Sequence, residues 1–138
     1  MIALLRQLNR EQGTAIILIT HNMAVVASLC KRVMVMYAGR VVEAGETRQI
    51  FKNPQHPYTW SLLRSIPRID ATDQTRLVTI PGNPPDLGNP PSGCKFHPRC
   101  RFRVARCSTE EPPLEEVDAG QHARCWVLMR NVENVEAG

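Results

Sequence analysis

The chain has 138 residues, a formal net charge of +4 and an apolar fraction of 43%, which is ordinary for a packed globular protein and excludes wholesale disorder. No apolar run reaches the roughly 20 residues of a bilayer-spanning helix, and the start "MIALLRQLNREQ" lacks the charged-then-apolar layout of a secretion signal, so the expected compartment is the cytoplasm. Charge is segregated: Lys95, Arg99, Arg101, Arg103 and Arg106 share an acid-free stretch, and Glu110, Glu111, Glu115, Glu116 and Asp118 follow it, an alternation unlike a uniformly basic nucleic-acid face.

In chain order, Ile2, Leu4, Leu5 and Leu8 put an apolar stripe on a first helix that Gly13 ends. "TAIILIT" (14–20) is a continuous apolar and β-branched run, the pattern of a strand buried on both faces in a parallel sheet. "NMAVVASLCK" (22–31) has helical spacing with Asn22 as its cap. "RVMVMYA" (32–38) and "VVEAG" (41–45) read as a strand pair joined by a tight turn at Gly39-Arg40. "ETRQIFK" is a short helix broken at Asn53-Pro54, and "HPYTWSLLRSI" (56–66) resumes helically with Pro57 in its first turn. Tyr58 and Trp60 are expected to pack that helix on the sheet, and Cys30 to be a packed core residue.

After Pro67 the texture changes, for eight of the eleven prolines lie between Pro81 and Pro113. Such a stretch builds neither helix interior nor central strand. The expected division is therefore an α/β piece, residues 1–66, and a loop-rich appendage, residues 67–138, which needs something besides a large core to order it. Cys94, Cys100, Cys107 and Cys125 lie in that appendage. Four thiols suffice for a tetrahedral zinc site or a four-iron cluster, and their gaps match neither zinc ribbons nor bacterial ferredoxins. The interleaved cations favour thiolate. His97, between two of the cysteines, is expected to be a solvated loop residue.

His21 ends the apolar run 14–20 directly before the Asn22-capped helix. The carboxyl end of a buried strand is where open α/β sheets place ligand contacts, yet this spacing alone does not separate a phosphate ligand from a histidine satisfying nearby backbone groups.

The succession of strand, Thr20-His21, helix, hairpin, short helix and "NPQHPYTWSLLRSIP" closely resembles the C-terminal part of an ABC transporter ATP-binding subunit. "HPYTWSLL", "TIPGNPPDL" and "GCKFHPRC" narrow the resemblance to the oligopeptide/dipeptide and related nickel importers. It implies the C-terminal part of a P-loop NTPase sheet with flanking helices, followed by the proline- and cysteine-rich appendage of that branch. It also implies that His21 is the switch histidine, contacting the γ-phosphate of ATP and the attacking water. The usual aspartate after that histidine is Asn22 here, and either residue caps a helix.

The sequence holds no G-x-x-x-x-G-K-[ST], no serine-glycine-glycine signature and no strand ending in Asp-Glu. In the family these lie upstream of the position matching Met1, so the chain reads as the tail of a longer subunit. ATP and Mg2+ would then be bound only together with the N-terminal part, and this chain alone is expected not to hydrolyse ATP.

In some members the matching cysteines bind a [4Fe–4S] cluster, which tilts the expectation for Cys94, Cys100, Cys107 and Cys125 from zinc to iron–sulfur. The resemblance further implies permease subunits, a second ATP-binding subunit and, indirectly, a peptide-binding protein as partners, on the cytoplasmic face of the membrane and without nucleic acid. The alternative reading is a stand-alone zinc or iron–sulfur module contacting nucleic acid or a protein partner. Base stacking there needs interleaved aromatics, and only Phe96 and Phe102 flank the basic run.

Overall fold

The structure is a computed structural model, and residues 1–66 and 79–132 are described. The boundary expected between residues 66 and 67 abuts residues 67–78, which lie outside the described residues. Helix α1 (Ile2–Gln12) ends at Gly13 in the left-handed conformation, and α2 (Met23–Leu29) starts at Asn22, whose side chain accepts from the Ala24 and Val25 N–H groups. The two helices touch through the Arg6 guanidinium, which donates to the Ser28 carbonyl. Helix α1 buries no residue, and Cys30 is a half-buried C-cap of α2 rather than a core residue.

The strand expected over residues 14–20 pairs with no strand among the described residues, and Ile17 and Ile19 stand 93% and 95% exposed. A strand exists by exchanging backbone hydrogen bonds with a neighbour, and apolar content alone supplies none. Among the described residues the run has no regular secondary structure and no strand partner.

Strands β1 (Arg32–Tyr37) and β2 (Arg40–Glu46) form an antiparallel hairpin in the register Arg32↔Glu46 to Tyr37↔Arg40. Its two-residue loop is Ala38-Gly39, one position earlier than expected, with φ of 47° and 75°. Positive φ at both central residues is what a tight hairpin matching the strand twist demands, and Arg40 belongs to the strand. Helix α3 (Thr47–Lys52) follows, then α4 (Pro57–Arg64) with proline in its first turn.

The later part of the chain adds a short helix α5 (Arg106–Thr109) and a small hairpin, β3 (Glu115–Asp118) and β4 (Gln121–Ala123). Strand β4 pairs antiparallel with β2 through Glu43↔Ala123 and Ala44↔His122, so the order is β1-β2-β4-β3. The described sheet is thus antiparallel throughout, whereas the apolar run 14–20 pointed to parallel pairing.

The class is α/β, and one core unites both ends of the chain. Val35, Tyr37, Val42 and Ile50 pack with Phe96 and Cys100. Tyr37, Tyr58 and Phe96 meet as a triangle with ring centroids 4.7, 5.2 and 5.3 Å apart, edge-on or tilted geometries that aromatic rings favour. Tyr58 therefore packs α4 on the sheet as expected. Trp60 is buried edge-on against Phe102, with Arg64 and Arg101 over its ring. It fastens α4 to the cysteine loop.

Candidate functional site

Two polar constellations occupy the interior shared by the sheet and the later loops. In the first, Glu43 on β2 is fully buried. Its Oε1 accepts from Gln55 N at 2.6 Å and Gln121 Nε2 at 2.9 Å, and its Oε2 accepts from His56 N at 3.1 Å. Gln121 Nε2 also donates to Asn53 O, while Met129 N and Arg130 N donate to the Gln55 carbonyl and side-chain oxygens. Burial pushes the Glu43 carboxyl pKa upward, and the donors from Gln55, Gln121 and His56 oppose that shift. Among the described residues, no cation takes part. The arrangement fastens the α3–α4 linker to β2, β4 and the turn at Met129–Asn131.

His56 is also fully buried and caps α4, its Nδ1 accepting from Tyr58 N at 3.0 Å. An accepting Nδ1 requires the tautomer protonated on Nε2. Burial lowers its pKa to about 3, against the opposing pull of the Arg124 backbone, so the ring is neutral at physiological pH. Sequence patterning did not single out Glu43. The available signal was a carboxylate inside the apolar run of β2.

The second constellation is the cysteine group. Cys94 N donates to Cys107 O at 2.8 Å, His97 N to Cys94 O at 3.1 Å and Cys100 N to His97 O at 3.2 Å, so three of the cysteines sit on one cross-bonded loop. Gly93 makes that crossing possible: its φ is 65°, and a Cβ there would lie 2.4 Å from the Cys107 carbonyl oxygen. Cys125 arrives from the exit of β4, where Arg124 N donates to Val42 O.

The thiols sense one another. Burial first, then the neighbouring Cys94, Cys100 and Cys107, push the Cys125 thiol far up. Cys100 rises to about 11 for the same two reasons, burial and then Cys94 and Cys107, while Cys94 is raised by burial and by Cys107. Against these shifts, backbone N–H groups point at sulfur: Phe96 and His97 at Cys94, Phe102 at Cys100 and Val127 at Cys125 (3.2 Å). Val104 N likewise donates to Cys107 Sγ at 3.5 Å.

Backbone N–H groups aimed at sulfur, with Arg103 near Cys100, suit thiolate ligands, and in donor type four cysteines match a soft metal or a four-thiolate cluster. Among the described residues, no three His, Cys, Asp or Glu side chains are arranged around a common metal position. The Cys125 Sγ–H instead donates to Val127 O at 2.7 Å, and that proton must leave before a metal binds. His97 is half-buried and its Nδ1 lies 2.7 Å from Cys94 O, so it orders the loop rather than standing free in solvent.

His21 is exposed at the bend before α2, where Asn22 N donates to Thr20 Oγ1 at 3.0 Å. It makes no hydrogen bond to the cysteine group or to the Glu43 cluster among the described residues. Three of the cysteines share one cross-bonded loop, and His21 stands apart from them.

Comparison with known proteins bears on both places. Residues 42–107 match the family described as "Oligopeptide/dipeptide transporter, C-terminal region". The chain is 50% identical over 127 residues to the oligopeptide transport ATP-binding protein OppD of Haemophilus influenzae, covering 92% of this chain and 39% of that protein. It is 50% identical over 126 residues to OppD of Escherichia coli, with 91% and 37% covered. It is 47% identical over 125 residues to the dipeptide transport ATP-binding protein DppD of Lactococcus lactis, with 91% and 36% covered. The chain spans under two fifths of the length of these curated relatives, and it corresponds to the C-terminal region of that group.

Proposed function

We infer that this chain is the C-terminal portion of an ATP-binding subunit of an oligopeptide or dipeptide ABC importer, and that it serves to couple ATP binding and hydrolysis to peptide transport. The observation that carries this reading is similarity along 91% of the chain to peptide-transport ATP-binding proteins. The same similarity favours the importer reading over a metal module that contacts nucleic acid.

In this reading His21 is the switch histidine. An imidazole at the end of an apolar run and directly before an Asn22-capped helix is held by backbone on both sides, and it can donate to a terminal phosphate or orient water. The phosphate cradle and magnesium carboxylates would come from sequence this chain does not contain, so one histidine alone has nothing to position. The P-loop-type sheet would then include residues 14–20, whose exposed Ile17 and Ile19 offer an apolar face for a neighbouring layer to cover. The division into residues 1–66 and 67–138 belongs to the same reading.

Cys94, Cys100, Cys107 and Cys125 would hold a [4Fe–4S] cluster, or zinc in its place. Such a centre supplies bonds that order a proline-rich segment, and it lies outside the chemistry of ATP. No described helix is long and apolar enough to cross a membrane. A peripheral position on the cytoplasmic face, against permease subunits and a second ATP-binding subunit, with a peptide-binding protein delivering cargo, completes the reading.

The test is a chimera in which this chain replaces the corresponding C-terminal part of the Escherichia coli OppD. Peptide uptake and ATPase activity are expected to be retained. His21→Ala in the chimera is expected to reduce turnover strongly while leaving nucleotide affinity largely intact, the pattern of a group that acts in the transition state. A well-expressed chimera without uptake, or one indifferent to His21→Ala, overturns the assignment.

A further inference from the structure

We propose that Arg106 positions Cys125, which makes Cys125 the detachable member of a three-plus-one cysteine group; the proposal rests on the metal reading above. Cys94, Cys100 and Cys107 are joined through the main chain: Cys94 N to Cys107 O, Cys100 N to His97 O, His97 N to Cys94 O, and Cys107 N to Val104 O at 3.0 Å. Cys125 has no such tie. Among the described residues no backbone hydrogen bond joins residues 125–128 to residues 94–109. The sheet holds this segment from the other side, through Arg124 N to Val42 O and Arg124 Nε to Val41 O.

What closes the gap toward Cys107 is a triangle of side chains beside the two cysteines. The Arg106 guanidinium carbon lies 3.5 Å from the centroid of the Trp126 ring. Arg106 Nε donates to Glu110 Oε2 at 2.9 Å, and Trp126 Nε1 donates to Glu110 O at 2.9 Å. Arg106 adjoins Cys107 and Trp126 adjoins Cys125 in sequence, so the stack sets the approach of one cysteine to the other. The Arg106 and Glu110 side chains are 54% and 56% exposed. Solvent screens such a pair, and a half-exposed cation over a half-buried indole holds only weakly. Three ligands are therefore built into one loop, and the fourth is attached by a latch that water can reach.

The experiment uses the full chain and measures each thiol separately, by alkylation with iodoacetamide and mass spectrometry on the metal-free protein. Arg106→Ala is expected to speed modification of Cys125 by about fivefold, with Cys94 and Cys100 little changed. Arg106→Lys, which keeps a cation, is expected to recover part of the protection, and Trp126→Leu to reproduce the selective effect from the other side. With Co2+ as probe, the sulfur-to-metal charge-transfer intensity is expected to fall from four thiolates to three in Arg106→Ala. Equal acceleration at all four cysteines overturns the proposal, because it marks general loosening, and so does a Cys125 rate indifferent to Arg106. If wild-type protein takes up no Co2+ while Cys125 protection still depends on Arg106, the latch stands and the metal reading falls.

Discussion

Glu43 on β2 and Gln121 on β4 are 78 positions apart and share a 2.9 Å hydrogen bond inside the protein. The carboxylate accepts from the backbone N–H groups of Gln55 and His56 and from this amide, and the Thr59 hydroxyl also faces it. Three N–H donors aimed at its two oxygens favour an acceptor there over another amide N–H.

Glu43→Gln therefore turns an N–H pair toward groups that also donate. It is expected to cost about 2–4 kcal/mol, since buried polar groups are left facing like partners. The drop in urea midpoint checks it. A midpoint unchanged in the variant means that the knot contributes nothing to stability.

His56 sets the acid side of the stability curve. Its folded pKa of about 3 lies below the ordinary histidine value of 6.5, so the unfolded chain binds the extra proton between those limits and stability falls as pH drops through that window. The slope is about 1.4 kcal/mol per pH unit at its steepest. Glu43 acts oppositely: its folded pKa is raised, so its contribution is full below the ordinary carboxylate value and is lost as pH rises from there through the folded value. His56→Asn retains a side-chain oxygen for the cap and is expected to flatten the His56 part of the curve. Denaturant titrations from pH 7 to 5 in both proteins decide it.

Gly93 stands where the Cys94 and Cys107 segments cross, with a positive φ and no room for a Cβ. Gly93→Ala is expected to destabilise by about 3 kcal/mol and to separate the two cysteines. Ala38→Gly relieves the positive φ of a non-glycine residue in the hairpin loop, and is expected to stabilise by about 0.5–1 kcal/mol. Thermal melts of the two variants should move in opposite directions.

Anaerobically purified protein is expected to be brown and to carry about four irons per chain. Serine at Cys94, Cys100, Cys107 or Cys125 should bleach it, and Cys30→Ser should not, because Cys30 caps α2 away from the gathered thiols. A colourless protein with one tightly held zinc keeps the shared centre and removes the cluster. Metal retained in all four serine variants removes both.

Local chemistry made much of this legible. Gly13 ends α1, Asn22 caps α2, Pro57 opens α4, and the β1–β2 hairpin follows from two apolar runs around a glycine turn. The β3–β4 hairpin was not legible, because "EEVD" and "QHA" are short and polar and owe their pairing to β2. Nor was the burial of Glu43, whose partners are two main-chain N–H groups and a distant glutamine. Residues 14–20 carried a strand's composition, but pairing depends on neighbours that composition does not encode. Cysteine spacing identified the candidate set and left open which thiols the fold ties together. That depends on Gly93 and on carbonyls no motif records.

The pairing of β2 with β4 also sets an order of events. The β1–β2 hairpin closes a two-residue loop, whereas Ala44 meets His122 only after the intervening chain has been drawn into a ring. Closing such a ring carries an entropy cost that grows with its length, and non-local pairings of this kind form slowly. The crossing of Cys94 over Cys107 lies inside that ring, so a bond between those positions shortens the free path β4 must travel. Metal added during refolding should therefore accelerate docking of the last hairpin and leave the rate of the first unchanged.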